Sequence, residues 1–380
     1  MDLTLATPLL GGLSPQVFMR RHWQKKPLLI RGAVVGAGTG VTRAQLFALA
    51  AQDAVDSRLV VHGDTGWSLR QGPFRRASIP PLKQARWTLL VQGLDLHLRA
   101  ARELLERFRF VPDARLDDVM ASYASDGGGV GPHVDSYDVF LLQVQGRRRW
   151  RVGRVTDPAL VPDVPLKILA RFAPEHDWLL EPGDMLYLPP GWGHDGVAEG
   201  ECLTCSIGFR AAGREQLGRD VLQRALDGAE AVDVDTLYRD PKQPATAEPG
   251  RIPADLQAFA ADAVARTLAD TRWLACALGE VLSEPKPGVW FETPADPPGA
   301  SEGVHLDRRS RMLYNDWHVF INGESYQASG RDAKMMRRLA DRRALSAREL
   351  ASLSGPARDL LYDWFAAGWM LSGDAKEETT

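Results

Sequence analysis

Three histidines of this 380-residue chain stand two positions before an acidic residue, a spacing that can bring an imidazole and a carboxylate to one metal ion. With 8 histidines and 49 acidic residues, about one such pair is expected by chance (8 × 49/380), so the spacing alone is a weak signal. We expect the first and third histidines to be solvated surface residues, because turn residues or a linker surround them. The three pairs are His62 with Asp64, His133 with Asp135, and His305 with Asp307.

The surroundings of His133 distinguish it from the other two histidines. It follows a glycine-rich run, residues 127–132, and opens a predicted strand over 133–142. Side chains alternate along a strand, so His133, Asp135 and Tyr137 share one face. Two ligands at this spacing can hold one metal ion from one side.

A third ligand is predicted from a second stretch, in which a turn, a short apolar strand and a tight turn precede His194. The spacing of Gly183, Pro189, Gly191 and His194 is typical of a strand that closes a small β-barrel. Two imidazoles and one carboxylate on one side of an ion form the facial triad of non-haem Fe(II) oxygenases. The alternative is that the histidines are core or turn residues and the aspartate is a helix cap.

An Fe(II) site of this kind needs O2 and an electron-donating co-substrate, and 2-oxoglutarate is the expected one. One of its carboxylates chelates the metal, so the distal one needs a buried cation. In the predicted strand 147–152, Arg148 shares a face with Trp150 and Val152, which favours an inward position for this guanidinium. The alternative, a solvated basic edge strand, fits the odd-numbered arginines of the run.

A further set of alternating side chains precedes the triad in residues 116–123. Ser122 can hydrogen-bond 2-oxoglutarate if this strand lines the barrel. Asp118 and Met120 can then hold a cationic, long-stemmed substrate side chain, through a carboxylate and a thioether. Tyr137 can form another wall of this pocket. The alternative for Asp118 is a surface position beside a turn.

The composition of the chain indicates the class of protein to which these residues belong. A net charge of −3, with 44% hydrophobic and 25% charged residues, is typical of globular proteins and argues against disorder and against a strongly basic nucleic-acid binder. Three cysteines favour a reducing compartment. The N-terminus lacks the pattern of a signal peptide, and no run approaches the roughly 18 apolar residues of a membrane span. We therefore expect a cytoplasmic protein of two or three domains.

The first 210 residues contain many short apolar runs punctuated by glycine and proline, a pattern that predicts an antiparallel sandwich or barrel. A helical pattern near 96–107 interrupts them. We expect Cys202 and Cys205 to be packing residues rather than half of a zinc site, because no second pair exists. The predicted strands are 27–30, 58–62, 87–92, 139–144, 149–152, 185–188 and 202–207, with a turn at Gln145-Gly146.

The pattern becomes helical over 213–283, with apolar stripes that form either a subunit interface or a packing face for the barrel. A proline-rich linker is predicted at 284–303 and a small α/β module beyond it. The signals in this module are a hairpin turn, a capping box, a helix break and a basic helix over 331–343. We expect that helix to be a solvated face, with RNA contact as the alternative. The first three lie at Asn322-Gly323, at Ser346 with Glu349, and at Gly355-Pro356.

Taken together, these stretches resemble the JmjC-type 2-oxoglutarate oxygenases, specifically the bacterial ribosomal oxygenases, a group that hydroxylates an arginine of large-subunit ribosomal protein sixteen. The resemblance is detailed over about residues 20–210 and architectural beyond. The sequence departs from the family pattern at Val134, Ser136 and Trp192-Gly193, none of which is an expected ligand. The stretches that carry the resemblance are 22–27, 55–60, 127–140, 146–153, 181–191 and 206–210.

The resemblance implies a mainly β fold with helices, organised in four parts. These are a double-stranded β-helix of the JmjC/cupin-like kind at 1–211, a helical dimerisation region at 212–283, the linker at 284–303, and a winged-helix-like module at 304–380. It also implies roles for eight residues. The expected metal ligands are His133, Asp135 and His194, the 2-oxoglutarate contacts are Arg148 and Ser122, and the contacts of the substrate arginine are Asp118, Met120 and Tyr137.

The function we predict is an Fe(II)- and 2-oxoglutarate-dependent hydroxylase. It adds a hydroxyl to the β-carbon of an arginine in a large-subunit ribosomal protein and releases succinate and CO2. We expect a homodimer without membrane attachment, for which direct nucleic-acid binding is not primary. The alternatives are a JmjC lysine demethylase and a non-enzymatic cupin-like sensor with winged-helix output. A sugar-isomerising cupin is disfavoured, because its metal site is usually richer in histidine.

Overall fold

A computed structural model of the chain describes residues 2–34, 40–227, 236–242, 244–245, 250–293 and 302–373. The chain divides into two compact units, Met1–Ala211 and Ala212–Thr380. Part of the predicted linker, residues 294–301, lies outside the described residues, and residues 284–293 form neither helix nor strand. No helix in the described part of the chain is long and apolar enough to span a membrane.

The first unit is built on one antiparallel sheet of ten strands with helices packed on it, which confirms the predicted antiparallel β architecture. The strand order is β1-β9-β7-β10-β5-β4-β2-β3, with β6 on β10 and β8 on β7. The helices are α1 (Pro15–Arg21), α2 (Arg43–Ala50), α3 (Leu94–His97) and α4 (Arg99–Glu106). The strands are β1 (Leu28–Ile30), β2 (Ser57–Gly63), β3 (Gly66–Gln71), β4 (Trp87–Val91), β5 (Leu116–Ala124), β6 (His133–Val134), β7 (Asp138–Arg154), β8 (His176–Leu180), β9 (Met185–Leu188) and β10 (Trp192–Phe209).

Strands β7 and β10 are longer than the sequence predicts, with 17 and 18 residues. The predicted turn at Gln145-Gly146 is wrong, because β7 continues through it and Gly146 takes a φ of +65°. The pairing of β10 with β7 shifts register beside this point, so the two strands bend together. The predicted strand 133–142 is also interrupted, since β6 ends at Val134 and β7 begins at Asp138.

The two faces of the sheet have different roles. One face packs against the helices through a core that includes Phe18, Phe140, Tyr187 and Phe209. Along β5, Val119, Ala121 and Tyr123 pack into this core, whereas Asp118, Met120 and Ser122 alternate with them and lie on the other face. That inner face holds a second apolar cluster, formed by Val139, Leu141, Trp150, Val152, Leu180, Leu186, Leu188 and Trp192. Both cysteines, Cys202 and Cys205, are buried in packing clusters, as predicted.

The second unit contains six helices and two three-stranded antiparallel sheets among its described residues, with strand orders β15-β11-β16 and β12-β13-β14. The helices are α5 (Arg214–Asp227), α6 (Ala254–Leu268), α7 (Thr271–Ser283), α8 (Gly330–Arg342), α9 (Ala347–Ala351) and α10 (Gly355–Ala366). The strands are β11 (Val304–Leu306), β12 (Met312–Tyr314), β13 (His318–Ile321), β14 (Glu324–Gln327), β15 (Ala344–Leu345) and β16 (Met370–Ser372).

Most local signals of the C-terminal module are confirmed. Asn322 and Gly323 both take positive φ and join β13 to β14 as a hairpin. Ser346 and Glu349 form the predicted capping box, and α10 starts at the predicted break. The prediction for His305 is wrong: it is only 6% exposed, and its Nδ1 lies 3.1 Å from the Gly373 carbonyl oxygen.

Helix α6 leaves its apolar stripe exposed. None of its residues is buried in this chain, and Leu256, Phe259, Val264 and Leu268 are all exposed. An amphipathic helix normally gains stability by burying such a stripe. The stripe therefore remains available for a partner surface.

Candidate metal centre and co-substrate pocket

The structure brings the three predicted metal ligands together where β6 pairs with β10. His133 on β6 is the register partner of His194 on β10, and Asp135 lies in the short segment between β6 and β7. One potential ligand atom from each residue lies within 4.8 Å of those of the other two. His194 Nε2 is 3.6 Å from Asp135 Oδ2, and the two imidazole centroids are 4.2 Å apart. A single ion can therefore be reached by all three side chains.

Backbone carbonyls orient both imidazoles. His133 Nδ1 lies 2.9 Å from the Gly131 carbonyl oxygen, and His194 Nδ1 lies 3.2 Å from the Trp192 carbonyl oxygen. When each Nδ1–H donates to its carbonyl, each Nε2 carries the free lone pair that a metal ion requires. This arrangement fixes the tautomer of both rings for ligation.

The electrostatics of the three residues fit a divalent cation. Burial lowers the pKa of His194 well below its usual range, and the neighbouring His133 lowers it further, so His194 is neutral. Burial raises the pKa of Asp135, while His133 and a hydrogen bond with Tyr137 act in the opposite direction. The neutral imidazole of His194, the imidazole of His133 and a desolvated carboxylate form a donor set that a cation stabilises.

Arg148 lies inside the barrel, as strand alternation predicts. In β7 the even-numbered residues from Arg148 to Val152 are buried, and the odd-numbered arginines are exposed. Arg148 is 4% exposed, and its Nη1 donates a 3.0 Å hydrogen bond to Ser122 Oγ. Its Nε and Nη2 atoms are buried without a hydrogen-bond partner among the described residues. The alternative of a solvated basic face applies only to Arg147, Arg149 and Arg151, which form ion pairs with acidic residues.

Two unsatisfied donors on a buried, permanently charged group are costly for the protein. A carboxylate is the natural acceptor, because it can take both N–H groups in a fork-like geometry. The pocket around Arg148 and Ser122 therefore suits one end of a dicarboxylate, and the triad suits the other.

The three predicted side chains of β5 line the same inner face at different depths. Ser122 is buried and pairs in register with Thr204 of β10, while Met120 is partly buried beside Ser206. Asp118 is 6% exposed, and its Oδ2 accepts a 3.2 Å hydrogen bond from the Gly93 backbone N–H. The surface alternative for Asp118 is therefore wrong.

Tyr137 lies in the turn before β7 rather than in the predicted strand, and it is 37% exposed. Burial and the nearby charges of Asp135 and Asp118 raise the pKa of its hydroxyl. The hydrogen bond with the Asp135 side chain keeps the Tyr137 hydroxyl beside the triad. The ring can thus form a wall of the pocket although the strand that was expected to carry it is broken.

Sequence reasoning missed two features of the inner face. Arg58 of β2 lies opposite Leu90 of β4, and Leu90 lies opposite Ser122 of β5, so the side chains of Arg58 and Ser122 are on the same face of the sheet. The buried Nε of Arg58 has no hydrogen-bond partner in the described part of the chain. His62 is not simply solvated, because its ring stacks on Trp67 at a centroid distance of 4.1 Å. Alternation in β2 could have identified Arg58, but its link to Ser122 depends on non-local pairing through β4.

Comparisons with known proteins agree with this architecture. Residues 103–217 match the JmjC domain family, and residues 266–370 match the ROXA-like winged helix family. The chain is 40% identical over 240 residues to the Escherichia coli protein named ribosomal protein uL16 3-hydroxylase, and 37% identical over 202 residues to a probable ribosomal oxygenase of Haemophilus influenzae. These alignments span 62% and 50% of the lengths of the two relatives, and 62% and 52% of this chain.

The structural similarity is more extensive. The X-ray structure of E. coli ycfD superimposes with a TM-score of 0.80 at 30% identity and covers 95% of this chain and 98% of that one. A structure of the same E. coli protein in complex with cobalt and 2-oxoglutarate gives a TM-score of 0.76 at 30% identity, over 95% of this chain and 99% of that one. The predicted fold class, a JmjC/cupin-like β-domain followed by a winged-helix-like module, is confirmed.

Proposed function

This chain belongs to the bacterial ribosomal oxygenases of the JmjC type, and on that premise we propose that it is a 2-oxoglutarate-dependent hydroxylase of a large-subunit ribosomal protein. The observation that carries the proposal is the combination of a His-Asp-His triad with a buried, incompletely paired arginine on the same inner face. The triad suits a metal ion, and the arginine suits the distal carboxylate of a chelating co-substrate.

We propose that His133, Asp135 and His194 hold Fe(II). When bound, the iron supplies the oxidative chemistry, in which a C–H bond, O2 and 2-oxoglutarate are converted to a C–OH group, succinate and CO2. The protein side chains hold the reactants in place and exclude water. The neutral state of His194 and the carbonyl contacts of both imidazoles prepare the ligand atoms for this ion.

For the co-substrate, we propose that Arg148 binds the distal carboxylate of 2-oxoglutarate together with Ser122. The hydrogen bond between them fixes the guanidinium so that Nε and Nη2 remain available for the ligand. The related E. coli protein has been crystallised with cobalt and 2-oxoglutarate and with cobalt and succinic acid, which supports a site of this kind in the family.

For the substrate, we propose an arginine of ribosomal protein uL16, hydroxylated at its β-carbon, because the E. coli relative carries that protein and a 3-hydroxylation in its name. Asp118 provides a buried carboxylate for the guanidinium, and Met120 and Tyr137 can contact the methylene stem. The Gly93 N–H holds one oxygen of Asp118, which limits the orientations of the carboxylate.

We further propose that the protein is a homodimer whose interface includes helix α6. The apolar residues of this helix, with Phe259 at its centre, are exposed in the single chain. Their exposure supports the proposal that a second copy of the chain covers them. Light scattering at micromolar concentration should give twice the chain mass of 41.8 kDa. Phe259→Asp should reduce it to a single chain mass. A wild-type protein of single chain mass would contradict the proposal.

The proposed location is the cytoplasm, where a ribosomal protein is accessible, and the proposed role of the C-terminal module is to support protein recognition rather than nucleic-acid binding. Two arginines of the basic helix α8, Arg338 and Arg342, contact Glu349. A third, Arg337, donates to the carbonyl oxygens of Asn315 and Asp316. These contacts reduce the charge that the helix can offer to phosphates.

One experiment tests the proposed reaction. The protein is incubated with Fe(II), 2-oxoglutarate, ascorbate and purified uL16, and the substrate is analysed by mass spectrometry. A gain of one oxygen on an arginine is expected, whereas a lysine demethylase would remove a methyl group and release formaldehyde. His133→Ala should abolish the gain, and His176→Ala, at an exposed histidine of β8, should not. If wild type leaves uL16 unmodified, the hydroxylase proposal for this substrate fails.

A further inference from the structure

Trp150 lies between the two ends of the proposed co-substrate site. On β7, Val152 is in register with His194, Trp150 with Gly196, and Arg148 with Ala198. Each step of two residues is about 6.6 Å along a strand, so the indole lies one step from the level of His194 and one step from Arg148. The ring therefore lies at a strand level between the triad and Arg148.

The orientation of the indole is fixed by its neighbours. Its six-membered ring lies against Gly196, where an added Cβ would come within 2.5 Å of Cζ3. The Arg148 guanidinium carbon is 5.7 Å from the ring centroid, and the His194 ring centroid is 5.8 Å away. Gly196 therefore leaves room for the ring, and the opposite edge, which carries Nε1, points away from β10.

The indole N–H is an unmet donor. Trp150 is 5% exposed, and its Nε1 has no hydrogen-bond partner among the described residues. A buried N–H group without an acceptor costs free energy, and such groups are rare in native proteins. Together with Nε and Nη2 of Arg148, three unmet donors belong to two adjacent side chains on one strand face.

We propose that the indole N–H of Trp150 donates to the distal carboxylate of 2-oxoglutarate, beside Arg148, and that the ring lies along the methylene chain of the co-substrate. This inference rests on the proposed function of the site. A carboxylate has about four lone-pair positions, enough for Arg148, Ser122 and an indole N–H at once. Trp150 is then a binding residue that helps to select a dicarboxylate.

The test compares Trp150→Phe with wild type in calorimetric titrations of the Mn(II)-loaded protein, which binds without turnover. The variant keeps an aromatic ring and loses the N–H. The ligands are 2-oxoglutarate and 2-oxopentanoate, which has the same carbon chain without the distal carboxylate. We expect the Kd for 2-oxoglutarate to rise about tenfold and the Kd for 2-oxopentanoate to change much less. Trp178→Phe, on the neighbouring strand β8, is the matched control and should bind both ligands as wild type does.

Other outcomes separate the possible failures. The proposal would be overturned if Trp150→Phe changed the Kd of both ligands equally or changed neither Kd. Either result would show that the indole N–H does not recognise the distal carboxylate. If wild type binds no 2-oxoglutarate, the proposed function itself fails. Should Trp150→Phe not fold, indole 15N-labelled wild type gives a second test. The proton resonance of one buried indole must then move downfield with 2-oxoglutarate and not with 2-oxopentanoate, and the absence of that shift refutes the proposal.

Discussion

Replacing Arg148 with methionine should separate ligand binding from folding. Methionine has a comparable length and no charge, so it fills much of the space of the arginine stem. In the absence of a ligand, the guanidinium makes one hydrogen bond within the described part of the chain, to Ser122, and leaves two buried donor atoms unmet there. The substitution thus removes one stabilising hydrogen bond and, with it, two buried donors whose lack of an acceptor is destabilising.

The structure gives the expected magnitudes. The hydrogen bond to Ser122 contributes on the order of 1 kcal/mol, and each unmet buried donor costs a similar amount or more. The free energy of unfolding should therefore stay within about 1 kcal/mol of wild type. Loss of one partner from a buried, hydrogen-bonded charge pair costs about 2–5 kcal/mol of binding, which corresponds to a roughly 30- to 5,000-fold higher Kd for 2-oxoglutarate.

Two measurements on the same variants test this reasoning. Urea denaturation of the protein without ligand gives the free energy of unfolding, and titration with 2-oxoglutarate in the presence of Mn(II) gives the Kd. Arg149→Met is the matched control, since Arg149 is next along the strand, exposed, and paired with Glu199 and Asp177. It should leave the Kd unchanged and the stability within about 1 kcal/mol. If Arg148→Met loses more than about 3 kcal/mol of stability and still binds 2-oxoglutarate normally, Arg148 is a structural residue and the reasoning is refuted.

Three further predictions concern other parts of the chain. His133→Ala should abolish the binding of one Mn(II) per chain, measured by calorimetry, and retention of that ion would remove His133 from the ligand set. Gly196→Ala should destabilise the protein by about 1–3 kcal/mol in urea denaturation, because its Cβ would come within 2.5 Å of the Trp150 ring, and an unchanged stability would contradict this packing. Hydrogen bonds from Ser346 and Arg338 lower the pKa of Glu349 from 4.5 to about 2, so its contribution is complete above about pH 4.5 and lost as the pH falls towards 2. The stability difference between wild type and Glu349→Gln should shrink over that range in acid denaturation, and a difference independent of pH would exclude this role.

Local periodicity predicted the features that depend on one strand or one turn. The alternation that directs Arg148 inward is a property of β7 alone, and the hairpin at Asn322 and Gly323 needs only residues that accept positive φ. The capping box at Ser346 is equally local. For these features, the chemistry of neighbouring residues determines the structure.

The features that were missed depend on pairing between distant segments. Gln145-Gly146 has the composition of a turn, yet β10 pairs on both sides of it and holds β7 as one bent strand. His305 is buried because β11 is the central strand of its sheet, a position set by β15 and β16. The metal site depends both on local residue spacing and on pairing between distant strands. The spacing of His133 and Asp135 is local, but their approach to His194 depends on the pairing of β6 with β10.

The exposed arginines of β7 have a consequence for how this strand tolerates mutation. Arg149 and Arg151 bind Glu199, Asp177 and Asp195 outside the barrel, and each such contact contributes little by itself. A deletion of one residue immediately before Arg147 would nevertheless exchange the two faces, turning Arg147, Arg149 and Arg151 towards the pocket and Arg148 away from it. Single substitutions on the outside should therefore be tolerated during evolution, while changes of length should be eliminated. The ion pairs of the outer arginines thereby oppose a shift of strand register that would remove Arg148 from the pocket.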